Sequence, residues 1–114
     1  MKESLTILLK KLKSNELLFK EVIEFIETYY SHQPTAFKNG ALYNDATQNQ
    51  GSAKVFTFAQ LNSLDKTDTL CLFAEHYQSV LKNPEGTDHQ NIRQFMIHSW
   101  PGIVFEGHAL FAKN

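Results

Sequence analysis

Apolar residues along this chain recur mostly at helical spacing. Leu5, Leu8, Leu9 and Leu12 fall at i, i+3, i+4 and i+7, one stripe of a first helix. Ser4 is placed as its N-cap, because a hydroxyl there accepts from the free backbone donors of the first turn. Lys10, Lys11 and Lys13 fill the last turn, where cations complement the helix dipole. Ser14-Asn15 then breaks the chain. Phe19, Val22, Ile23, Ile26, Tyr29 and Tyr30 predict a second, longer helix that Pro34 stops, since the residue before a proline is pushed out of the α region. The two helices are expected to form a hairpin.

From Pro34 to Ala59 the pattern changes to a polar, amide-rich stretch with few charges, Lys38, Asp45 and Lys54. Asn39-Gly40 between short apolar flanks predicts a type I′ turn and a small β-hairpin over Phe37–Tyr43, because both residues tolerate positive φ. Gly51-Ser52 opens a third helix with Ser52 as N-cap, and Val55, Phe58, Ala59 and Phe56 form its inner side. The run Val55–Phe58 also suits a strand. Helix is preferred because strict alternation is not kept.

Beyond it, Asp65 caps a fourth helix carrying Leu70, Phe73, Ala74, Tyr77, Val80 and Leu81 as one stripe, ended by Asn83-Pro84-Glu85-Gly86. Thr87-Asp88-His89-Gln90 reads as a capping box for a fifth helix on Ile92, Phe95 and Met96, closed by Pro101-Gly102. Ile103–Phe105 is read as a short strand beside the hairpin, and the residues from Gly107 as a loosely docked tail. The fold class is therefore mainly α: one small domain over 1–114, about five amphipathic helices with a short β-hairpin or small β element inserted after the second.

Composition narrows function by exclusion. Eleven Lys and Arg against twelve Asp and Glu give a net charge of -1, so the basic face of a nucleic-acid binder is not expected, nor a polybasic membrane surface. The single cysteine, Cys71, forms no internal disulfide and fits a reducing compartment. No apolar run approaches the ~18 residues of a spanning helix. Cytoplasmic residence in a bacterium is the expectation, with no cofactor and no metal. The partner expected is a protein or a small polar ligand, with no nucleic acid and no membrane; nothing in the sequence sets an oligomeric state.

Four blocks, TAFKNGALYN, QNQGSAKVFTFAQL, LFAEHYQSVL and PEGTDHQNIRQFM, resemble the HopJ type III effector family. The resemblance runs from about Leu5 to Phe105 with the blocks in the family's order. It implies kinship with proteins delivered into plant cells by a type III secretion system, which makes secretion into a host cell the alternative location. It supplies no catalytic residues. Cys is common in the family where this chain has Ala53, so the resemblance brings no thiol mechanism there.

Two function classes follow. The first is a binding module presenting the amide-rich surface together with the corner at 86–93. The third helix is expected to run back before the fourth, about 19 residues or ~28 Å long, begins. That would return the Ser52 end to the side of Gly86. Asn44, Asn49 and Ser52 would then face Asp88, His89 and Arg93, with Lys54 and Thr87 nearby. Helix N-termini at both corners would offer unpaired backbone donors to a polar or anionic ligand. The bland alternative is that both corners are capped helix ends that only fold the chain. The second class is a small hydrolase-like enzyme or metal-binding protein using His76, His89 or His98. No pair of these has the spacing that puts two ligands on one helix face. Cys71 is read as a packed, inert thiol, because His76 lies roughly 140° round the expected helix at ~100° per residue.

Overall fold

The computed structural model of the chain describes residues 1–113. Six helices and five short strands follow in the order α1 (Lys2–Lys13), α2 (Phe19–Tyr29), β1 (Tyr30–His32), β2 (Phe37–Asn39), β3 (Leu42–Asn44), α3 (Gln50–Leu61), α4 (Lys66–Cys71), α5 (Glu75–Lys82), α6 (Gln90–His98), β4 (Ile103–Phe105) and β5 (Leu110–Ala112). A 3-10 turn at Trp100–Gly102 leads into β4. The chain is helix-rich, as its periodicity requires, but its β content exceeds one hairpin. Strands β3-β2-β4 form one antiparallel sheet and β1-β5 a second.

Helix α3 is the centre. Ala53, Val55, Phe56, Thr57, Phe58 and Ala59 are all buried. Phe56 meets Phe37, Phe73, Phe95 and Trp100, while Phe58 meets Phe25 and Tyr30. Its stretch 55–59 is buried on every face, so no polar side is needed there. That is why its sequence shows neither a clean stripe nor a strand's alternation.

The second helix ends at Tyr29, earlier than Pro34 implied, because Tyr30 turns extended to pair with the C-terminal strand. The expected loose tail is instead β5, with Tyr30 opposite Ala112 and His32 opposite Leu110. Ala109 and Leu110 are buried and join the core, while Phe111 to Lys113 stay exposed.

The fourth helix is also corrected. It breaks at Leu72–Ala74 into α4 and α5, with Ala74 at φ 51°. Leu70, Leu72 and Phe73 are all buried. On a continuous helix, at ~100° per residue, Leu72 would point away from the other two. The break lets all three enter the core and frees Glu75 at the start of α5 to accept from the Phe19 N–H at 2.6 Å, capping α2 from another part of the chain.

The hairpin register differs from the Asn-Gly expectation by one residue. Asn39 pairs with Leu42 and Phe37 with Asn44, so Gly40-Ala41 is the loop. Only Gly40 of these two has positive φ, the signature of a II′ rather than a I′ turn. Gln94 explains the preference: its carbonyl oxygen accepts from the Ala41 N–H at 3.1 Å. The capping assignments move as well. α1 begins at Lys2, leaving Ser4 inside its first turn, while Asp65 caps α4 as expected by accepting from the Asp68 N–H at 2.8 Å.

Behind the hairpin lies a buried cluster of asparagines. Asn39, Asn44 and Asn91 are buried. The Asn91 amide donates to Asn44 Oδ1 at 2.9 Å, and Asn44 Nδ2 returns a bond to Asn91 Oδ1 at 3.2 Å. Asn39 Nδ2 donates to Asn91 Oδ1 and to its backbone carbonyl, and Asn49 Nδ2 donates to Asn44 Oδ1 at 2.7 Å. One network thereby joins the hairpin to the starts of α3 and α6.

Removing one member strands the others in a dry interior. Asn44→Ala is expected to lose about 2–4 kcal/mol of stability in urea unfolding. Lys54→Ala, which breaks only a partly exposed ion pair to Glu27, is expected to lose about 1 kcal/mol or less. Equal losses would remove the network from its central place. Cys71 is half-buried, and burial pushes its thiol above the ordinary range, which disfavours the nucleophilic thiolate. Cys71→Ala is expected to cost about 1 kcal/mol and leave binding unchanged; lost binding in a folded variant would refute a structural thiol.

Candidate functional site

Both α3 and α6 start from a residue in the left-handed conformation. Asn49 (φ 51°, ψ 40°) precedes α3, and His89 (φ 51°, ψ 49°) precedes α6. Asn and His tolerate this region better than most residues. Ser52 and Thr87, the expected caps, do not act as such: Ser52 is inside the first turn of α3, and Thr87 lies in the loop before α6. Gln90 completes no capping box and instead donates from its side chain to the Thr87 carbonyl at 2.7 Å. Neither helix start has a side-chain cap bond, so the first backbone donors of each point outward.

The two starts meet across a cleft of about 410 Å³. Asn49, Gly51 and Ser52 come from α3 and its cap, and His89 to Ile92 from α6 and its cap. Leu42 of β3 and Phe73 of the α4–α5 turn add an apolar wall. Phe19 and His76 complete the lining. The His76 and His89 rings lie 4.9 Å apart between centroids, inclined by 33°, and the Phe19 ring is also 4.9 Å from that of His76. No carboxylate, lysine or arginine lines the cleft among the described residues.

The sequence-derived residues divide accordingly. Asn49, Ser52 and His89 line one cleft. Asn44 sits behind it, buried in the amide network. Lys54 is turned away to Glu27 of α2 at 2.9 Å. Thr87 and Asp88 are exposed in the 86–89 loop. Arg93 is fixed onto that loop, donating to the Asp88 carbonyl at 2.6 Å, to Asp88 Oδ1 at 2.7 Å and to the Pro84 carbonyl at 3.2 Å. Lys54 and Arg93 therefore hold the fold rather than face the cleft. His98 is exposed at the far end of α6. Phe19, Leu42 and Phe73 were missed, since nothing in their spacing says that α2, the hairpin and the α4–α5 turn converge. Among the described residues, no three of His, Cys, Asp and Glu are grouped to hold a metal ion.

The arrangement is that of a small helix-rich α/β domain with a cleft of mixed polar and apolar lining at converging helix starts. The chain belongs to the HopJ type III effector protein family, whose model matches residues 5–110. It is similar to the crystal structure of VPA0580, a protein of unknown function, with 46% identity and a TM-score of 0.87 over 95% of this chain and 92% of that one. Among curated proteins, none matches. No helix among the described residues is long and apolar enough to cross a membrane.

The Arg93 clamp has a defined pH dependence. Its hydrogen bond to Asp88 is the main cause holding that carboxyl below its ordinary value, with His89 adding to the effect. A depressed folded value means the stabilisation is present above the unfolded carboxylate range, ~3.9, and is lost as pH falls through the folded value. Hydrogen-exchange protection of the Arg93 Nη2–H, the donor to Asp88 Oδ1, is expected to persist at about pH 5 and fall progressively below about pH 4, relative to the Nε–H, whose acceptor is the backbone carbonyl of Asp88. Protection already lost at neutral pH would contradict the clamp.

Proposed function

We propose that this protein is a binding module that takes a small polar anion in the cleft between the starts of α3 and α6. The observation that carries the reading is two helix N-termini converging on a lining with two touching histidines and no carboxylate. Free backbone donors and the positive ends of the dipoles favour negative charge, and imidazoles can add to that charge. Binding stands ahead of acid–base catalysis because the Asp88 carboxylate is 3.9 Å from His89 Nε2, outside hydrogen-bond reach, and is held by Arg93.

For its location, residence in the bacterial cytoplasm remains our reading, and delivery into a host cell the alternative that the family's description offers.

Titrating the protein with phosphate, sulfate and acetate while following backbone amide shifts tests the cleft. Shifts are expected to concentrate at 50–52 and 90–92, and His89→Ala is expected to weaken binding roughly tenfold by losing one charge-assisted contact. Shifts confined to the lysine-rich end of α1 would overturn the reading.

A further inference from the structure

We propose that the groove between α1 and α2 is the contact surface of a weak, two-fold symmetric dimer, its occupant being the α1–α2 face of a second copy of this chain. The proposal stands apart from the anion cleft: among the described residues, none lines both.

The groove follows from where the two helices find their partners. α1 packs on α4 and α2 on α3, and a groove of about 410 Å³ is left between them. The helices run antiparallel: the Tyr29 hydroxyl at the end of α2 donates to Ser4 Oγ near the start of α1 at 3.4 Å. Ile7, Leu8, Leu17 and Phe25 give the groove an apolar floor. Ile7 keeps 55% of its surface exposed, so this floor is uncovered in the single chain.

Its rims carry opposite charge. Lys11 stands on the α1 side, and Glu21 and Glu24 on the α2 side. The helices differ in the same sense throughout: α1 holds four lysines and one glutamate, α2 three glutamates and one lysine. Among the described residues, Lys11, Glu21 and Glu24 enter no ion pair, whereas Lys13 is held by Asp68 at 2.9 Å and Lys54 by Glu27.

Charge selects both the occupant and its orientation. Two copies packed face to face are related by a two-fold axis that runs either across the groove or along it. An axis across the groove sets α1 on α1 and lysine against lysine. An axis along it lays each α1 antiparallel on α2 of the other copy, as in a four-helix bundle. Levels along the groove are then kept, so Lys11 meets the partner's Glu21 and Glu24, and both Ile7 side chains enter one shared apolar centre. An anionic lipid surface would instead meet the two carboxylates. Helices of this length span only ~17 Å, so the face is small and half-association is expected on the order of 100 μM.

Sedimentation velocity of the full chain from ~10 μM to ~1 mM tests this, with the average mass expected to rise from that of one chain toward that of two. Raising NaCl from ~50 mM to ~500 mM is expected to weaken the association several-fold. Lys11→Glu and the double variant Glu21→Lys, Glu24→Lys are each expected to weaken it at least about tenfold, by setting like charges against each other. Mixed in equal amounts, the two variants are expected to associate within about threefold of the unmodified chain, because each restores the other's pairs. Glu21 also accepts from the Leu18 N–H at 3.2 Å, so Glu24→Lys alone replaces the double variant if that one does not fold. Ile7→Ser removes the apolar centre without changing charge and is expected to weaken association roughly tenfold. A chain that stays monomeric to ~1 mM would overturn the proposal and leave the groove to a different protein. Association unmoved by salt and by both charge variants would put the interface on another face and overturn it too. Variants that lose association and do not regain it on mixing would refute the charge-paired orientation.

Discussion

The hydrogen bonds of Asn44 hold three parts of the chain to one another. Its side chain exchanges bonds with Asn91 at the start of α6, accepts from Asn49 at the start of α3, and reaches the Phe37 carbonyl of β2 at 3.4 Å. In a dry interior such amides are costly unless paired, so the pairing fixes which arrangements of hairpin and helices are allowed. The cleft is a consequence: both helix starts that form it are tied to one buried side chain.

Around that polar centre the apolar core is organised by α3. Phe56 meets aromatic rings from β2, the α4–α5 turn, α6 and the 3-10 turn, so the helix acts as a spindle rather than as one wall of a bundle. The two small sheets tie distant segments of the chain together. β4 adds to the hairpin through β2, and β5 draws the C-terminal residues back onto the end of α2. The Lys113 N–H extends that closure by donating to the Tyr29 carbonyl at 2.9 Å.

Charge is distributed with a similar division of labour. The ionic groups near the cleft are spent on the fold: Lys54 on Glu27, Arg93 on Asp88 and the Pro84 carbonyl, and Glu75 on the start of α2. What remains facing the cleft includes no carboxylate, lysine or arginine among the described residues.

How much of this was legible in the sequence follows from how local each cause is. Leu5, Leu8 and Leu12 encode α1, and Val22 and Ile26 encode α2, because a stripe facing one neighbour repeats with the helix. The Asp65 cap, the Ser14-Asn15 break and the strand at Ile103–Phe105 are local as well. The amide density from Asn39 to Asn49 marked the right region, but not that Asn44 was buried or that Asn91 was its partner, 47 residues away. Tertiary contacts decided the rest. Glu75 on Phe19, Gln94 on Ala41 and β5 on Tyr30 are long-range bonds that no periodicity records. They ended α2 early, moved the hairpin loop by one residue and ordered the tail. The predicted fourth helix breaks where Leu72 and Phe73 are buried beside Leu70, and just past that break the His76 ring lies 4.9 Å from that of His89. A local pattern can specify an element and its buried face; only packing decides which elements meet, and a cleft is made of such meetings.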